Sequence, residues 1–231
     1  MKHNINSRPM NCWKRIELPE HDEYLIQEGC SLVTIFGSKF DEKDNSTEWS
    51  FLGVLDEDDE LYTPVGICPL AYGIDKHTFI FDDGHREDFL DFVDIFPKTI
   101  LRGVNNITIV HSNGQKACEI KNCASLAVVP FTSKTVIVAH EATLEEYDCD
   151  SGKRIGVTNL QDGHKITSVK FLGKMFECIV LCSNGVLARY SRQIDQVELH
   201  PTPIAEGVKE IGVDVAGRLF AVIGTKLNIF V

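Results

Sequence analysis

The sequence predicts an all-β fold built from repeated four-stranded antiparallel sheets, and three observations carry that prediction. Short apolar or alternating runs of strand length recur along the chain, as in Ile107-Thr108-Ile109-Val110 and Cys178 to Cys182. Tight-turn pairs follow them: Asp83-Gly84, Asn113-Gly114 and Asn184-Gly185. Equivalent strands also return at a near-constant interval, about 43 residues from Val136 to Ile179 and about 41 from Ile179 to Phe220.

The most legible stretch runs from Asp148 to Ser191. Asp150-Ser151-Gly152-Lys153 is a turn, because Asp and Ser side chains bond to nearby backbone and Gly accepts positive φ. Arg154 to Val157 reads as a strand, Asp162-Gly163-His164 breaks the chain, and Ile166 to Phe171 alternates between two faces. Cys178 to Cys182 and Val186 to Tyr190 form a hairpin about Ser183-Asn184-Gly185. These four strands read as one up-and-down sheet. Leu126 to Pro130, Thr135 to Ala139 and Thr143 to Asp148 read as strands of the preceding unit, and Val208 to Val215, Leu219 to Ile223 and Lys226 to Val231 as strands of the following one.

Earlier in the chain, residues 1–29 read as an N-terminal arm and 30–231 as the repeated domain. Ser31 to Phe36 and Trp49 to Leu55 read as strands around a polar loop, Asp41 to Thr47. Asp56-Glu57-Asp58-Asp59-Glu60 is a run of five acids expected to sit in solvent, and an apolar stretch broken by Pro64 and Pro69 follows. In Arg86 to Phe96 the apolar residues recur near every third position, which fits a short amphipathic helix or an irregular exposed edge, closed by Pro97. The last unit shows three strand signals and no fourth. Either Cys30 to Phe36 or Trp13 to Leu18 supplies the missing strand, or the array is incomplete and its open edge pairs with another chain.

The segment resembles a blade of the tryptophan-aspartate (WD) repeat family of β-propellers. The matching residues are Ser151-Gly152-Lys153 ending one repeat, Gly163-His164 opening the next, then Ile166-Thr167-Ser168-Val169, and Tyr190-Ser191 in place of the Trp-Asp pair. Asn184 stands near the family's turn Asp and Tyr190 at its Trp, so the polar network that the family builds within a blade is altered. The resemblance implies a β-propeller-like array; at roughly 40 to 46 residues per blade the chain holds about five. It also implies that Gly163, His164, Asn184 and Tyr190 are structural blade residues.

Composition narrows the function classes. The net charge is −11 with a pI near 5.2, which disfavours direct contact with nucleic-acid phosphates or anionic membranes, and no cluster of Lys and Arg offsets it. The N-terminus lacks the apolar core of a signal peptide, and no apolar run approaches a membrane span, so a cytoplasmic or nuclear location is expected. The 8 cysteines form no C-x-x-C pair and read as buried thiols in a reducing compartment. Asn45-Ser46-Thr47 and Asn106-Ile107-Thr108 match the glycosylation pattern by chance.

Few residues invite catalysis. Asp82-Asp83-Gly84-His85 offers acids and a histidine, but consecutive acids diverge and Asp-Asp-Gly is what a hairpin turn requires. His164 as a general base yields to its role in the resemblance. No phosphate loop, nucleophile elbow, dinucleotide fingerprint or zinc motif is present, so neither an enzyme nor a cofactor is expected. The set Asp88, Phe89, Asp91, Phe92 and Asp94 instead reads as a candidate surface for protein partners with basic surfaces. The resulting expectation is a non-catalytic protein–protein interaction scaffold, a subunit or adaptor of a larger intracellular complex. The alternative is guanine-nucleotide exchange on a small GTPase, implied by a similarity of Gly207-Val208-Lys209-Glu210-Ile211 through Val231 to regulator-of-chromosome-condensation repeats, which are richer in paired glycines.

Overall fold

The computed structural model describes residues 10–28, 33–55, 58–62, 77–95, 97–160, 163–174, 176–192 and 199–231. These residues form strands and turns throughout, with no helix among them. The expectations placed on Asp56, Glu57, Cys30, Cys68, Pro64, Pro69, Phe96 and Asp162 lie outside the described residues.

The strands in chain order are β1 (Cys12–Glu17), β2 (Glu23–Glu28), β3 (Val33–Asp41), β4 (Ser46–Leu55), β5 (Leu61–Tyr62), β6 (His77–Ile80), β7 (Arg86–Phe89), β8 (Asp91–Ile95), β9 (Lys98–Arg102), β10 (Asn106–His111) and β11 (Lys116–Lys121). They continue with β12 (Ala127–Pro130), β13 (Thr135–His140), β14 (Thr143–Asp148), β15 (Arg154–Asn159), β16 (Ile166–Lys170), β17 (Glu177–Cys182), β18 (Leu187–Ser191), β19 (His200–Ala205), β20 (Val208–Val213), β21 (Leu219–Ile223) and β22 (Lys226–Phe230). Among the described residues these strands form five four-stranded sheets and one two-stranded sheet. The fold is all-β, a β-propeller-like array of four-stranded antiparallel blades.

The chain divides into two compact units. The first holds residues 1–71, 184–188 and 203–231. Its two sheets run β2-β3-β4-β5 and β1-β22-β21-β20. In the second sheet β1 runs antiparallel to β22, from Cys12 opposite Phe230 to Glu17 opposite Lys226, with a bulge at Trp13. The segment read as an arm thus contributes strands to two sheets. The unit's core lies between those sheets: Tyr24, Ile26, Val33 and Ile35 from one, and Phe220, Val222, Leu227 and Ile229 from the other. Phe220, Leu227 and Ile229 are fully buried. Each such side chain contributes roughly 1.5–3 kcal/mol relative to exposure.

The second unit holds residues 72–183 and 189–202. Ile100, Ile107 and Ile109 pack with Val136, Val138 and Tyr147, so one core fills the space between the β8–β11 and β12–β15 sheets. Alternation sends the next residues the other way. Leu101 and Val110 meet Phe81 and Phe89, which places the β6-β7 hairpin over the opposite face of the β8–β11 sheet. Central strands are buried almost end to end, β13 from Thr135 to Ala139 and β17 from Cys178 to Cys182. That is why they read as continuous apolar runs.

The Asx-Gly pairs make one turn three times. Gly84, Gly114 and Gly185 have φ of 81, 85 and 80°. In each, the preceding Asx oxygen accepts the N–H of the residue after the glycine: Asp83 from His85, Asn113 from Gln115 and Asn184 from Val186. Gly185 meets a second demand, since a Cβ there would lie 3.2 Å from the Gly207 Cα.

Four expectations are corrected. From Arg86 to Ile95 the chain forms two strands rather than a helix or an irregular edge, because it changes sheets at Leu90: Phe89 packs against Phe81 while Ile95 joins Ile100. The strand beginning at Arg154 pairs with β14, not with β16, so it closes the preceding sheet, and β16–β18 are completed by β19. The polar loop Asp41 to Thr47 shrinks to a turn at 42–45, since β3 and β4 stay paired out to Asp41 opposite Ser46. The acidic run is not wholly solvated: Asp59 is 2% exposed, because Arg218 neutralises it.

Candidate interaction surface

The predicted partner-binding set lies on β7 and β8, and its members differ in exposure. Phe89 is a core residue, 2% exposed. Asp88 and Asp94 are exposed, and Phe92 is 53% exposed. Asp91 is held by Arg102, whose Nε and Nη2 each donate to one carboxylate oxygen at 2.8 Å, while Arg102 Nη1 donates to the Ser125 carbonyl at 3.0 Å. The Thr99 hydroxyl donates to Asp94 at 2.6 Å. Exposed in this set are the Phe92 ring and the Asp88 and Asp94 carboxylates, and β8 itself is fixed by the bidentate Asp91–Arg102 pair.

The blade residues are dispersed in role. Gly163 (φ 62°) and His164 are exposed, Asn184 serves its own turn, and Tyr190 is buried. A single buried polar set is not formed from these four. His85 stacks on Phe81 and its Nε2 lies 3.1 Å from Glu87. Among the described residues, no group of three or more His, Cys, Asp or Glu is placed to hold a metal ion.

Buried charge is used inside the blades. Arg192 lies over the Phe131 and Phe176 rings, 5.2 and 5.1 Å from their centroids, and donates to the buried Glu146. Arg218 Nη1 donates to both oxygens of Asp59 at 2.7 and 2.8 Å, and its Nε to Asp214 at 2.6 Å. Glu145 accepts from the Tyr147 hydroxyl at 2.7 Å and from Arg154 at 2.6 Å. Burial, reinforced by that carboxylate, holds the Tyr147 proton well above the ordinary phenol range. Burial likewise pushes the Cys149 and Cys178 thiols up to about 12. No disulfide joins any of the six described cysteines.

Sequence reasoning missed an exposed element, the outer β3–β4 hairpin. β2 stops pairing at Glu23 opposite Ser38, and β5 reaches only Val54 and Leu55 of β4. Among the described residues the outer halves of β3 and β4 therefore continue as a two-stranded ribbon, exposed from Lys39 to Ser50. Cross-strand pairs share a face, so Phe36 with Phe51, Ser38 with Trp49 and Phe40 with Thr47 all lie on one side. That face grades from the buried Phe36, edge-on to Phe51 at 5.8 Å, out to Trp49 (41% exposed) and Phe40 (51% exposed). The Phe36-x-x-x-Phe40 and Trp49-x-Phe51 spacing was the available signal.

At the foot of the ribbon lies an open cleft of about 510 Å3, lined by Glu20, His21, Asp22, Lys39, Phe40 and Lys209. Its walls are fixed. The Asp22 carboxylate accepts the Phe40 N–H at 2.9 Å, the Tyr24 hydroxyl donates to the Pro19 carbonyl at 3.0 Å, and the Lys209 ammonium sits 5.3 Å from the centre of the Tyr24 ring. The His21 ring lies where a Cβ on Gly37 would be, 2.5 Å from that position, so residue 37 must be glycine.

Comparison with known proteins shows the fold. A chain in the "Crystal Structure of Mitotic Checkpoint Complex" aligns with TM-score 0.58 at 10% identity, over 100% of this chain and 94% of that one. Two crystal structures of BBS1N in complex with ARL6DN, soaked with mercury or lead, align with TM-scores of 0.47 and 0.43 at 12 and 18% identity, covering 90 and 58% of this chain and 64 and 45% of theirs. No family model matches the chain, and no curated protein matches it.

Proposed function

We propose that this chain is a non-catalytic scaffold for protein–protein interaction, a subunit or adaptor of a larger complex in the cytosol or nucleus. One observation carries the reading: large aromatic side chains stand in solvent on strands whose other contacts are rigid. Phe92 is the instance on β8, 53% exposed between Asp88 and Asp94 while Ile95, at the end of the same strand, is buried. Exposed aromatics ringed by charge are what interface centres are made of. The likeness in fold to a chain of a checkpoint complex supports the same reading. An acid-rimmed surface on a chain of net charge −11 selects protein partners with basic surfaces over phosphate backbones and anionic membranes.

The test is purification of the tagged chain from its own cells near 0.15 M salt, with sizing and mass spectrometry. A stoichiometric assembly is expected, from which Phe92→Ala or the Asp88→Lys, Asp94→Lys pair releases a component without changing the melting temperature. Elution of the unaltered chain alone, as a compact monomer, overturns the reading.

A further inference from the structure

We infer that the exposed outer part of the β3–β4 ribbon, from Lys39 to Trp49, is a docking arm for a partner protein that offers an apolar groove rimmed by Lys and Arg. The inference rests on the scaffold reading and names the surface and the partner's chemistry.

Four observations converge. Among the described residues the ribbon outruns its sheet, since β2 pairs no further than Glu23 opposite Ser38 and β5 no further than Val54 and Leu55. A two-stranded ribbon in water is marginal on its own, yet this one is held in register at its foot by Asp22 and the Phe40 N–H. It holds Phe40 and Trp49 on one face as diagonal neighbours, 51 and 41% exposed, continuous with the buried Phe36. The arm therefore presents aromatic anchors that lose little freedom on binding.

Charge decides the occupant. From Lys39 to Trp49 the arm carries Asp41, Glu42, Asp44 and Glu48 against Lys39 and Lys43. Two copies of the chain, each at −11 with the same acidic tip, repel at this face. A nucleic acid is repelled likewise. The cleft at the foot balances Lys39 and Lys209 against Glu20 and Asp22, so it offers no net attraction to an anion. A basic rim around an apolar groove satisfies both the rings and the carboxylates, and a partner guanidinium stacks on either ring.

The experiment uses the whole chain in its own cells, with p-benzoylphenylalanine in place of Phe40 or Trp49 and, as control, in place of Ile155, which is 48% exposed on β15. Light is expected to join the same partner from positions 40 and 49, through a peptide containing Lys or Arg, and not from 155. The Phe40→Ala, Trp49→Ala pair should lower recovery of that partner at least tenfold with an unchanged melt. Glu42→Lys with Asp44→Lys should lower it roughly as much at 0.15 M salt. A partner that stays bound to these variants, or that is joined only from position 155, overturns the docking arm while leaving the scaffold standing. A chain that elutes alone overturns both. Joining of a second copy of the chain through position 40 or 49 replaces the basic partner and overturns the assignment.

Discussion

The β13–β14 hairpin and the outer β3–β4 hairpin are the same covalent device in opposite surroundings. Both pair strands antiparallel across a short turn, Ala139 opposite Leu144 in one and Phe40 opposite Thr47 in the other. In the first, Val136, Ile137, Val138 and Leu144 are all but fully buried; in the second, every residue from Lys39 to Ser50 is exposed. The difference shows that backbone pairing sets the shape of a hairpin, and what covers its faces sets whether that shape stabilises the fold or is free to bind. Apolar residues on both faces belong to the core, whereas a single aromatic face left in water is available to a partner.

Substitutions can break that contrast, beginning where the effect is largest. Arg192→Ala leaves the buried Glu146, on β14, without its counter-charge. A loss of about 3–5 kcal/mol is expected in denaturant unfolding, whereas Lys226→Ala, in the exposed pair with Glu17, should cost less than about 1 kcal/mol. Equal losses would erase the distinction. Ile137→Ala should cost about 2–5 kcal/mol through the cavity it opens. Phe40→Ala should stay within about 0.5 kcal/mol while removing the partner; a strongly destabilised Phe40 variant would place the ribbon in the core.

Acidity and alkalinity sharpen the same comparison. Cys149, just beyond β14, ionises near about 8.5 when unfolded but is held up to about 12 by burial in the fold. Stability is then complete below the unfolded value and declines as pH rises toward the folded one. Cys149→Ala should flatten that alkaline decline, and maleimide should label Cys149 and Cys178 only after unfolding. The smallest effect is at the end of the same hairpin. The Asp148 carboxylate accepts from the Ser151 hydroxyl and from the Ser151 and Asp150 amides, which lowers its pKa. Its contribution is present above the ordinary carboxylate value of about 3.9 and is lost as pH falls through the lower folded value. Acid melts of Asp148→Asn should show a shallower fall than the parent.

How much of this was legible follows from the range over which each signal acts. Val136, Ile179 and Phe220 all fall on the second strand of a sheet, and their spacing exposed the repeat. Asx-Gly turns were legible because three or four adjacent residues decide them. The ribbon was not, since Ser38 and Thr47 stand on its aromatic face and break the apolar series there, and a ribbon without a core needs no such series. The Asp91–Arg102 pair was hidden for another reason: separate strands must first be brought into register. Asp59 and Arg218, 159 residues apart, meet only in the finished unit, so an acid in an acidic run gave no sign of its partner.

The pairing of β1 with β22 also sets a schedule. Cys12 and Asn228, 216 residues apart, lie side by side in one sheet. At roughly 5–20 residues per second of synthesis, β1 waits about 10–40 s before its neighbour leaves the ribosome. Throughout that interval Trp13 and Ile16 travel on a nascent strand with its hydrogen-bonding groups unmet, a target for any chaperone that grips extended apolar chain. Assembly of that sheet is therefore a step at which synthesis can go astray.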